Sequence, residues 1–270
     1  MGTGITGTGE VNLMARTMDY NNCNLNLAEG AGIKGNKLNI QSYASINAAK
    51  GIFSDNNITI GYGSINAANG TFSSNNITMT GNINAAGGTL SGNNIKMSGY
   101  ASINATNGTL SDNNILAKNS RYGGGGDGLT INVANGTLSD NTIRLEGIAS
   151  TINAATLSGN TITLAGYRST INAANGTLSD NNITIVTTDE TQWSAINVTN
   201  GILSGNTISL SGSTLEAAGS NVTNTSLKAK NSKINLTNGT LSGNTITLTG
   251  STVTTGESSM IWLYFGHEKR

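Results

Sequence analysis

The acidic residues that recur along this sequence are its first candidates for catalysis. Asp55, Asp112, Asp140 and Asp180 occupy one position of a repeated unit, where other units carry Gly or Ser. A general acid–base pair requires two carboxyl groups held together in a groove. A position that accepts Asp, Gly or Ser is typical of a turn instead. We therefore predict that these aspartates form turns and that the protein is not an enzyme.

The other reactive residues each stand alone. The chain has one histidine, His267, which has no partners for a catalytic triad, and one cysteine, Cys23, which we expect to be a buried structural thiol. The glycine-rich segment 123–128 holds Asp127 and has a slight similarity to a calcium-binding repeat. A single copy cannot complete such a site, because neighbouring turns share the ion. The sequence thus predicts no metal site and no cofactor.

Two insertions are the candidates for binding. Segments 119–128 and 186–194 interrupt the repeat, and insertions in repeat proteins often emerge on one face and carry binding residues. Neutral, tolerated loops are the open alternative. The contact residues that this hypothesis names are Arg121, Tyr122 and Asp127 in the first insertion, and Asp189, Glu190 and Trp193 in the second.

A hydroxyl array is a second kind of candidate surface. Thr and Ser recur two residues apart, and similar threonine arrays occur in ice-binding solenoids, so ice binding is an alternative hypothesis. Thr also suits any solvated strand face, and Ile52 and Ile202 replace it in two units. The pairs are Thr71 and Ser73, Thr89 and Ser91, Thr109 and Ser111, Thr137 and Ser139, Thr177 and Ser179, and Thr240 and Ser242.

A repeat of about nineteen residues positions all of these side chains. In most units a second and a third apolar residue follow an apolar anchor, and each lies between polar residues, as expected for short half-buried strands. Asn-Gly pairs between them predict tight turns. The anchors are Ile46, Ile65, Ile83, Ile103, Ile131, Ile152, Ile171, Ile196 and Ile234, with further units starting at Leu215, at Leu27 and, less regularly, at Val11.

Units this similar favour a stack in which like side chains lie above one another. A parallel β-solenoid provides that arrangement and a β-sandwich does not require it, so we expect about twelve coils spaced about 4.8 Å apart. The absence of Pro agrees, because Pro in an inner strand would remove a hydrogen bond. Two amide ladders are predicted along the stack. Their residues are Asn47, Asn66, Asn104 and Asn172, and Asn56, Asn93, Asn160 and Asn244.

The chain is predicted to have three parts. Residues 1–26 form an irregular start of the solenoid, residues 27–256 its repeats, and residues 257–270 a tail outside the repeats. The tail carries Trp262, Tyr264 and Phe265. Because the end of a solenoid exposes strand edges, we expect these aromatic residues to cap the last coil, or otherwise to dock end to end on another molecule.

Charge and hydropathy exclude two classes of partner. The 14 basic and 14 acidic residues give a net charge of +0 without a basic stripe, so the sequence predicts no nucleic-acid binding. No apolar run is long enough for a membrane-spanning helix, which requires about 18 residues or more. We therefore expect no insertion into a membrane.

The repeats resemble those of a known family. Residues 175–185 (NGTLSDNNITI) and 238–248 (NGTLSGNTITL) are similar to the nineteen-residue repeats of filamentous-haemagglutinin-type exoproteins, which include bacterial adhesins and the stalks of contact-dependent inhibition toxins. The resemblance covers about residues 27–250. It implies a right-handed, single-stranded parallel β-helix, two-partner secretion and display at the bacterial cell surface. The Asn-Pro motifs of the family's secretion domain are absent, since this chain has no Pro.

The function expected from the repeats is structural and adhesive. We expect an extracellular module that binds a receptor or glycan on a host or neighbouring cell, or a subunit that self-associates end to end into a surface filament.

Overall fold

The computed structural model describes residues 5–6, 10–13, 23–26, 29–119, 128–187, 193–256 and 259–267. Their secondary structure consists of strands and turns, without helix. The fold is an all-β, single-stranded parallel solenoid of about 11 turns of about 19 residues, which confirms the predicted class and comes close to the predicted number of coils. The chain divides into two compact units, residues 1–137 and 138–270, which are described separately.

Unit 1 is built from short strands that pair in parallel with strands of the following turn. Its strands are β1 (Ile5–Thr6), β2 (Glu10–Leu13), β3 (Cys23–Asn26), β4 (Gly32–Lys34), β5 (Lys37–Asn47), β6 (Ile52–Ser54), β7 (Asn57–Asn66), β8 (Thr71–Ser73), β9 (Asn76–Asn84), β10 (Thr89–Ser91), β11 (Asn94–Asn104), β12 (Thr109–Ser111), β13 (Asn114–Lys118) and the start of β14 (Thr130–Ser139).

Unit 2 repeats the same construction. Its strands after β14 are β15 (Thr142–Glu146), β16 (Thr151–Ser158), β17 (Thr161–Ala165), β18 (Thr170–Asn172), β19 (Thr177–Ser179), β20 (Asn182–Val186), β21 (Ser194–Asn197), β22 (Ile202–Ser204), β23 (Thr207–Ser211), β24 (Ser213–Glu216), β25 (Asn221–Thr223), β26 (Ser226–Lys230), β27 (Lys233–Asn235), β28 (Thr240–Thr249), β29 (Thr252–Thr254) and β30 (Ser259–His267).

The core of each unit consists of columns of like side chains. In unit 1 the anchors Ile46, Ile65 and Ile83 pair in register and are fully buried. The second column stacks Phe53 on Phe72, with ring centroids 4.6 Å apart and the rings nearly parallel. Like side chains therefore stack directly on one another, as the repeat predicts. The strand register places each inward-facing side chain opposite the corresponding one in the next turn.

The two residues of the Asn107–Gly108 turn are favoured for different reasons. Asn107 has a φ of 57°, so the Asn adopts the left-handed conformation. A Cβ on Gly108 would lie 2.4 Å from the carbonyl oxygen of Gly88 in the preceding turn. The Gly is therefore required by close stacking of the corners. The recurrent aspartates lie at a second left-handed corner, as Asp55 (φ 59°) and Asp112 (φ 58°) show, which confirms that they are turn residues.

The N-terminal end of the repeat differs in register from the sequence prediction. Leu25, and not Leu27, pairs with the anchor Ile46, while Val11 pairs with Leu38 of the third column. At the other end, β30 pairs in parallel with β28, placing Phe265 opposite Ile246. The backbone of Ser259–His267 thus continues the strand ladder of β28, and the assignment of residues 257–270 as a separate tail stays a prediction.

Candidate ligand-binding surface

An inner column of hydrogen-bonded asparagines is buried beneath the surface of each unit. In unit 1, Nδ2 of Asn56 donates to Oδ1 of Asn75 (2.9 Å) and to the carbonyl oxygen of Ile33 (2.7 Å), and the backbone N–H of Asn56 donates to the same Oδ1 (3.0 Å). This bonding satisfies amides that are almost completely buried. It confirms the predicted ladder through Asn56 and Asn93. The inner column comprises Asn36, Asn56, Asn75, Asn93 and Asn113 in unit 1, and Asn141, Asn160, Asn181, Asn206, Thr225 and Asn244 in unit 2.

An outer column of asparagines is half-buried and faces solvent. Nδ2 of Asn84 donates to Oδ1 of Asn66 (3.0 Å), and Nδ2 of Asn104 donates to Oδ1 of Asn84 (3.1 Å). The second predicted amide ladder is thereby confirmed. In unit 2 the corresponding register runs from Asn172 through Asn197 to Glu216, so a carboxylate replaces an amide at one rung.

Glu216 is held in place by its neighbour in the next turn. Nδ2 of Asn235 donates to its Oε1 (2.6 Å), while Oδ1 of Asn235 accepts hydrogen bonds from the backbone N–H (3.1 Å) and the hydroxyl (2.9 Å) of Thr237. These bonds fix the orientation of the Asn235 amide group, since both its Nδ2 and its Oδ1 are engaged. The carboxylate of Glu216 is therefore a fixed acceptor on the solenoid surface.

Lys233 supplies a cation on the turn that follows Glu216. It opens β27 and pairs in register with Thr214 of the preceding turn and Thr252 of the following one. Its Nζ lies 4.9 Å from the ring centroid of Trp193, within the range of a cation–π interaction. Because Ala195 pairs with Thr214, this contact joins side chains of turns that are two repeats apart.

Glu216 and Lys233 line an open groove of about 300 Å³. Apart from Ile234, its lining residues carry hydroxyl, amide, carboxylate or ammonium groups. The remaining lining residues are Thr214, Asn235, Thr237, Thr252 and Thr254. The groove offers hydrogen-bond donors, acceptors and both signs of charge in one place.

The predicted binding residues are only partly within the described chain. Trp193 is described and is exposed (37%). Arg121, Tyr122, Asp127, Asp189 and Glu190 lie outside the described residues, so their role stays a prediction. The structure describes the backbone but not the side chains of Cys23, Trp262, Tyr264, Phe265 and His267, and the buried thiol and the aromatic cap also stay predictions.

The hydroxyl face exists but is interrupted. Thr89 pairs in register with Thr71 and Thr109, and the serines two positions later pair likewise. The exposed side chains of Ile52 and Ile202 and the amide of Asn221 occupy threonine positions in the same columns. This break in a flat hydroxyl array gives the ice-binding hypothesis no support.

Titratable groups in the described residues are dispersed. No group of three or more His, Cys, Asp or Glu side chains there could hold a metal ion. One exposed pair joins Glu29 to Lys50; the hydrogen bond and the positive charge from Lys50 lower the pKa of Glu29, and the same contact raises the pKa of Lys50. Within the described chain, no helix is long and apolar enough to cross a membrane.

Sequence reasoning missed most of the groove. Glu216, Lys233 and Asn235 were not among the predicted contact residues, nor were the exposed tyrosines Tyr62 and Tyr100 of unit 1. A usable signal was present for two of them: Glu216 replaces the Asn of its column, and Lys233 replaces a small residue or Thr. A surface residue that differs from the common residue of its column is not needed for stacking, so it is a candidate for binding.

Comparison with known proteins adds little to these features. No family model matches the sequence, and no curated protein matches it. A crystal structure of a hyper-glycosylated TibA fragment, glycosylated by TibC, aligns over 96% of each chain with 12% sequence identity and a TM-score of 0.39. The resemblance to filamentous-haemagglutinin-type repeats is thus not confirmed by a family match, and it stays a prediction.

Proposed function

We propose that the chain is a structural and adhesive module that acts outside the cell or at a bacterial cell surface. It works through its surface and not through catalysis. The observation that carries this proposal is the arrangement of polar side chains into surface columns above a buried, hydrogen-bonded inner column, with the aspartates at corners. Such a surface presents repeated shape and hydrogen-bonding groups, and among the described residues it holds no group of three or more His, Cys, Asp or Glu side chains that could bind a metal ion.

Rigidity supports the structural part of this role. In unit 1, successive turns are bonded through backbone strands, the inner amide column and the half-buried outer column. Solenoids of this kind hold binding residues at set distances, since each repeat contacts only its neighbours. The resemblance to repeats of bacterial exoproteins supports the finer proposal that the module spaces or displays binding sites on a stalk.

Exposed aromatic residues support the adhesive part. Tyr62, Tyr100 and Trp193 are large, exposed side chains on a surface that is otherwise composed mainly of Asn, Thr and Ser. Tyr and Trp are enriched at sites of recognition because they combine apolar area with a polar group. We propose a receptor or glycan on a host or neighbouring cell as the partner.

Adhesion is tested with fluorescent beads coated with the purified chain. We expect these beads to remain on epithelial monolayers or on bacterial lawns after washing, in greater number than albumin-coated beads. Equal retention on both surfaces would contradict the adhesive role. Soluble chain added in excess serves as the control, since it should displace specifically bound beads.

End-to-end association is tested by electron microscopy over a concentration series. Discrete particles of one-chain length at every concentration support a module that acts through its sides. Fibres of constant width would instead support the variant in which the chain is the subunit of a surface filament.

A further inference from the structure

The exposed Asn-Gly corners of the solenoid carry a pair of residues that can modify itself. The glycine nitrogen, which no Cβ shields, loses its proton and attacks Cγ of the asparagine, and the side-chain nitrogen leaves as ammonia. Water then opens the resulting succinimide ring at either carbonyl group and leaves aspartate or isoaspartate. The asparagines of these pairs are Asn69, Asn107, Asn135, Asn175, Asn200 and Asn238, and all six are exposed.

At four of these corners the fold engages the nitrogen that would attack. The N–H of Gly70 donates to the carbonyl oxygen of Ala67 (2.8 Å) and closes a turn around Asn69. This nitrogen can neither lose its proton nor approach Cγ while the bond persists. The equivalent bonds join Gly108 to Ala105 (2.8 Å), Gly176 to Ala173 (2.9 Å) and Gly201 to Val198 (2.9 Å).

The asparagine that would be attacked is also held in place. Asn69 is in the left-handed conformation, with a φ of 57°, and its backbone N–H donates to the carbonyl oxygen of Ala86 in the following turn (2.8 Å). A backbone rotation that brings Cγ to the glycine nitrogen would disturb this bond between turns. The equivalent bonds join Asn107 to Ala134, Asn175 to Thr199 and Asn200 to Ala218, each at 2.9 Å.

We propose that these four corners are latent modification sites, and that each converts to aspartate or isoaspartate only after its turn opens. The inference goes beyond the proposed function and does not depend on it. Folded chains open locally, from frequently in weakly held segments to as rarely as global unfolding in the core. The rate of conversion at each corner therefore follows the open fraction of its turn.

Conversion to isoaspartate makes such an opening permanent. Isoaspartate adds a methylene group to the backbone of the corner. A Cβ on Gly70 would already lie 2.7 Å from the carbonyl oxygen of Gly51 in the preceding turn, so the closed corner has no room for a longer backbone. We expect a modified turn not to close again in its original register.

The test compares deamidation in the folded chain with deamidation in the same chain unfolded by urea. Both samples are kept at mildly alkaline pH, and peptide mapping by mass spectrometry follows the four asparagines. We expect each of them to convert about tenfold more slowly, or slower still, in the folded chain, because only the open fraction reacts. Equal rates in the two samples would overturn the inference.

The variants Asn75→Ala and Asn76→Ala test whether opening limits the rate at Asn69. Asn75 is buried in the same turn and donates to the carbonyl oxygen of Phe53 (2.9 Å), whereas Asn76 is exposed. We expect Asn75→Ala to raise the rate at Asn69 about tenfold or more, and Asn76→Ala to change it about twofold or less. The same rate at Asn69 in both variants would contradict the inference.

The parent chain in urea below its unfolding midpoint makes the same test if Asn75→Ala does not fold. Urea lowers the free energy of opening in proportion to its concentration, so the four rates should rise before the midpoint is reached. A synthetic peptide of residues 66–72 (NAANGTF), too short to fold, is the control and should show no such rise. Rates in the folded chain that do not respond to urea would show that the closed corners react, and would overturn the inference.

Discussion

Thr225 follows Asn206 in the inner column of unit 2, and there the chain of amide-to-amide hydrogen bonds is replaced by a weaker arrangement. Below this point Nδ2 of Asn206 donates to the carbonyl oxygen of Leu178 (2.9 Å). At the next rung, the Thr225 hydroxyl lies 3.4 Å from the equivalent carbonyl, that of Leu203. A cavity of about 10 Å³ adjoins the shorter side chain.

Thr225→Asn is expected to repair this rung and stabilise the protein. A new amide would donate to Leu203 as Asn244 donates to Val222 (2.8 Å), and its oxygen could accept the backbone N–H of Asn206. One or two added hydrogen bonds should raise the free energy of unfolding by about 1–2 kcal/mol. Urea unfolding followed by circular dichroism measures this change. The exposed neighbour, Ser226→Asn, is the control, and an unchanged or lower urea midpoint for Thr225→Asn would contradict the prediction.

The converse change, Asn75→Ala, is expected to be strongly destabilising. Asn75 accepts from the backbone N–H of Asn56 (3.0 Å) and donates to the carbonyl of Phe53 (2.9 Å). Alanine leaves both groups buried without these partners, at about 1–3 kcal/mol each. We expect a loss of about 3–5 kcal/mol in urea unfolding.

Asn76→Ala provides the matched control for that loss. Asn76 is exposed, and its side chain accepts only a surface hydrogen bond from Asn94 (3.2 Å). Its replacement should cost about 0.5 kcal/mol or less. Equal losses of unfolding free energy at positions 75 and 76 would contradict the prediction that the buried inner column stabilises the fold more than the surface asparagines do.

Stacking at the corners predicts that the two kinds of glycine respond differently to substitution. Gly108→Ala places a methyl group 2.4 Å from the Gly88 carbonyl oxygen, which forces adjacent turns apart and should lower stability by about 2 kcal/mol or more. Gly92 has a φ of 62° and nothing within 3.9 Å of its potential Cβ. Gly92→Asp introduces the residue that Asp112 has at this corner and should change stability by about 1 kcal/mol or less. Thermal unfolding of both variants measures the difference, and an equal shift in both would refute the role of stacking.

The periodic part of the fold could be predicted because the positions that face the core must be apolar in every turn. Ile46 and Ile65 face the core in successive turns, so both are apolar and lie 19 residues apart. At the first unit this reasoning chose Leu27 over Leu25, because alternation alone places both on one side of a strand. The hydroxyl pair Thr156 and Ser158, which aligns with Thr177 and Ser179, was missed because the unit is shortened at its turn.

The groove could not be predicted from periodicity. A repeat predicts contacts between like residues in adjacent turns, whereas Trp193 and Lys233 are unlike residues from turns two repeats apart. The contact depends on the length of both side chains, which no column of like residues indicates. The role of Glu216 could not be predicted either, because one acidic residue in a column of asparagines does not change the strand pattern.

Deletion of residues 120–127 tests whether this segment is an insertion or part of the core. The anchors Ile103 and Ile131 pair in register although they are 28 residues apart, whereas Ile83 and Ile103 pair at a distance of 20. The excess of eight residues equals the length of segment 120–127, so deleting it should restore a turn of ordinary length. We expect the β-sheet circular dichroism and the melting temperature to be unchanged.

The same deletion removes Arg121, Tyr122 and Asp127, and we expect it to reduce retention of chain-coated beads on cells. The variant Arg121→Ala/Tyr122→Ala, which keeps the segment's length, is the matched control for contact by these side chains. Adhesion unaffected by either change would move the binding site away from this insertion and towards the groove lined by Glu216 and Lys233. Loss of the β-sheet signal on deletion would instead show that the segment contributes to the core of its turn.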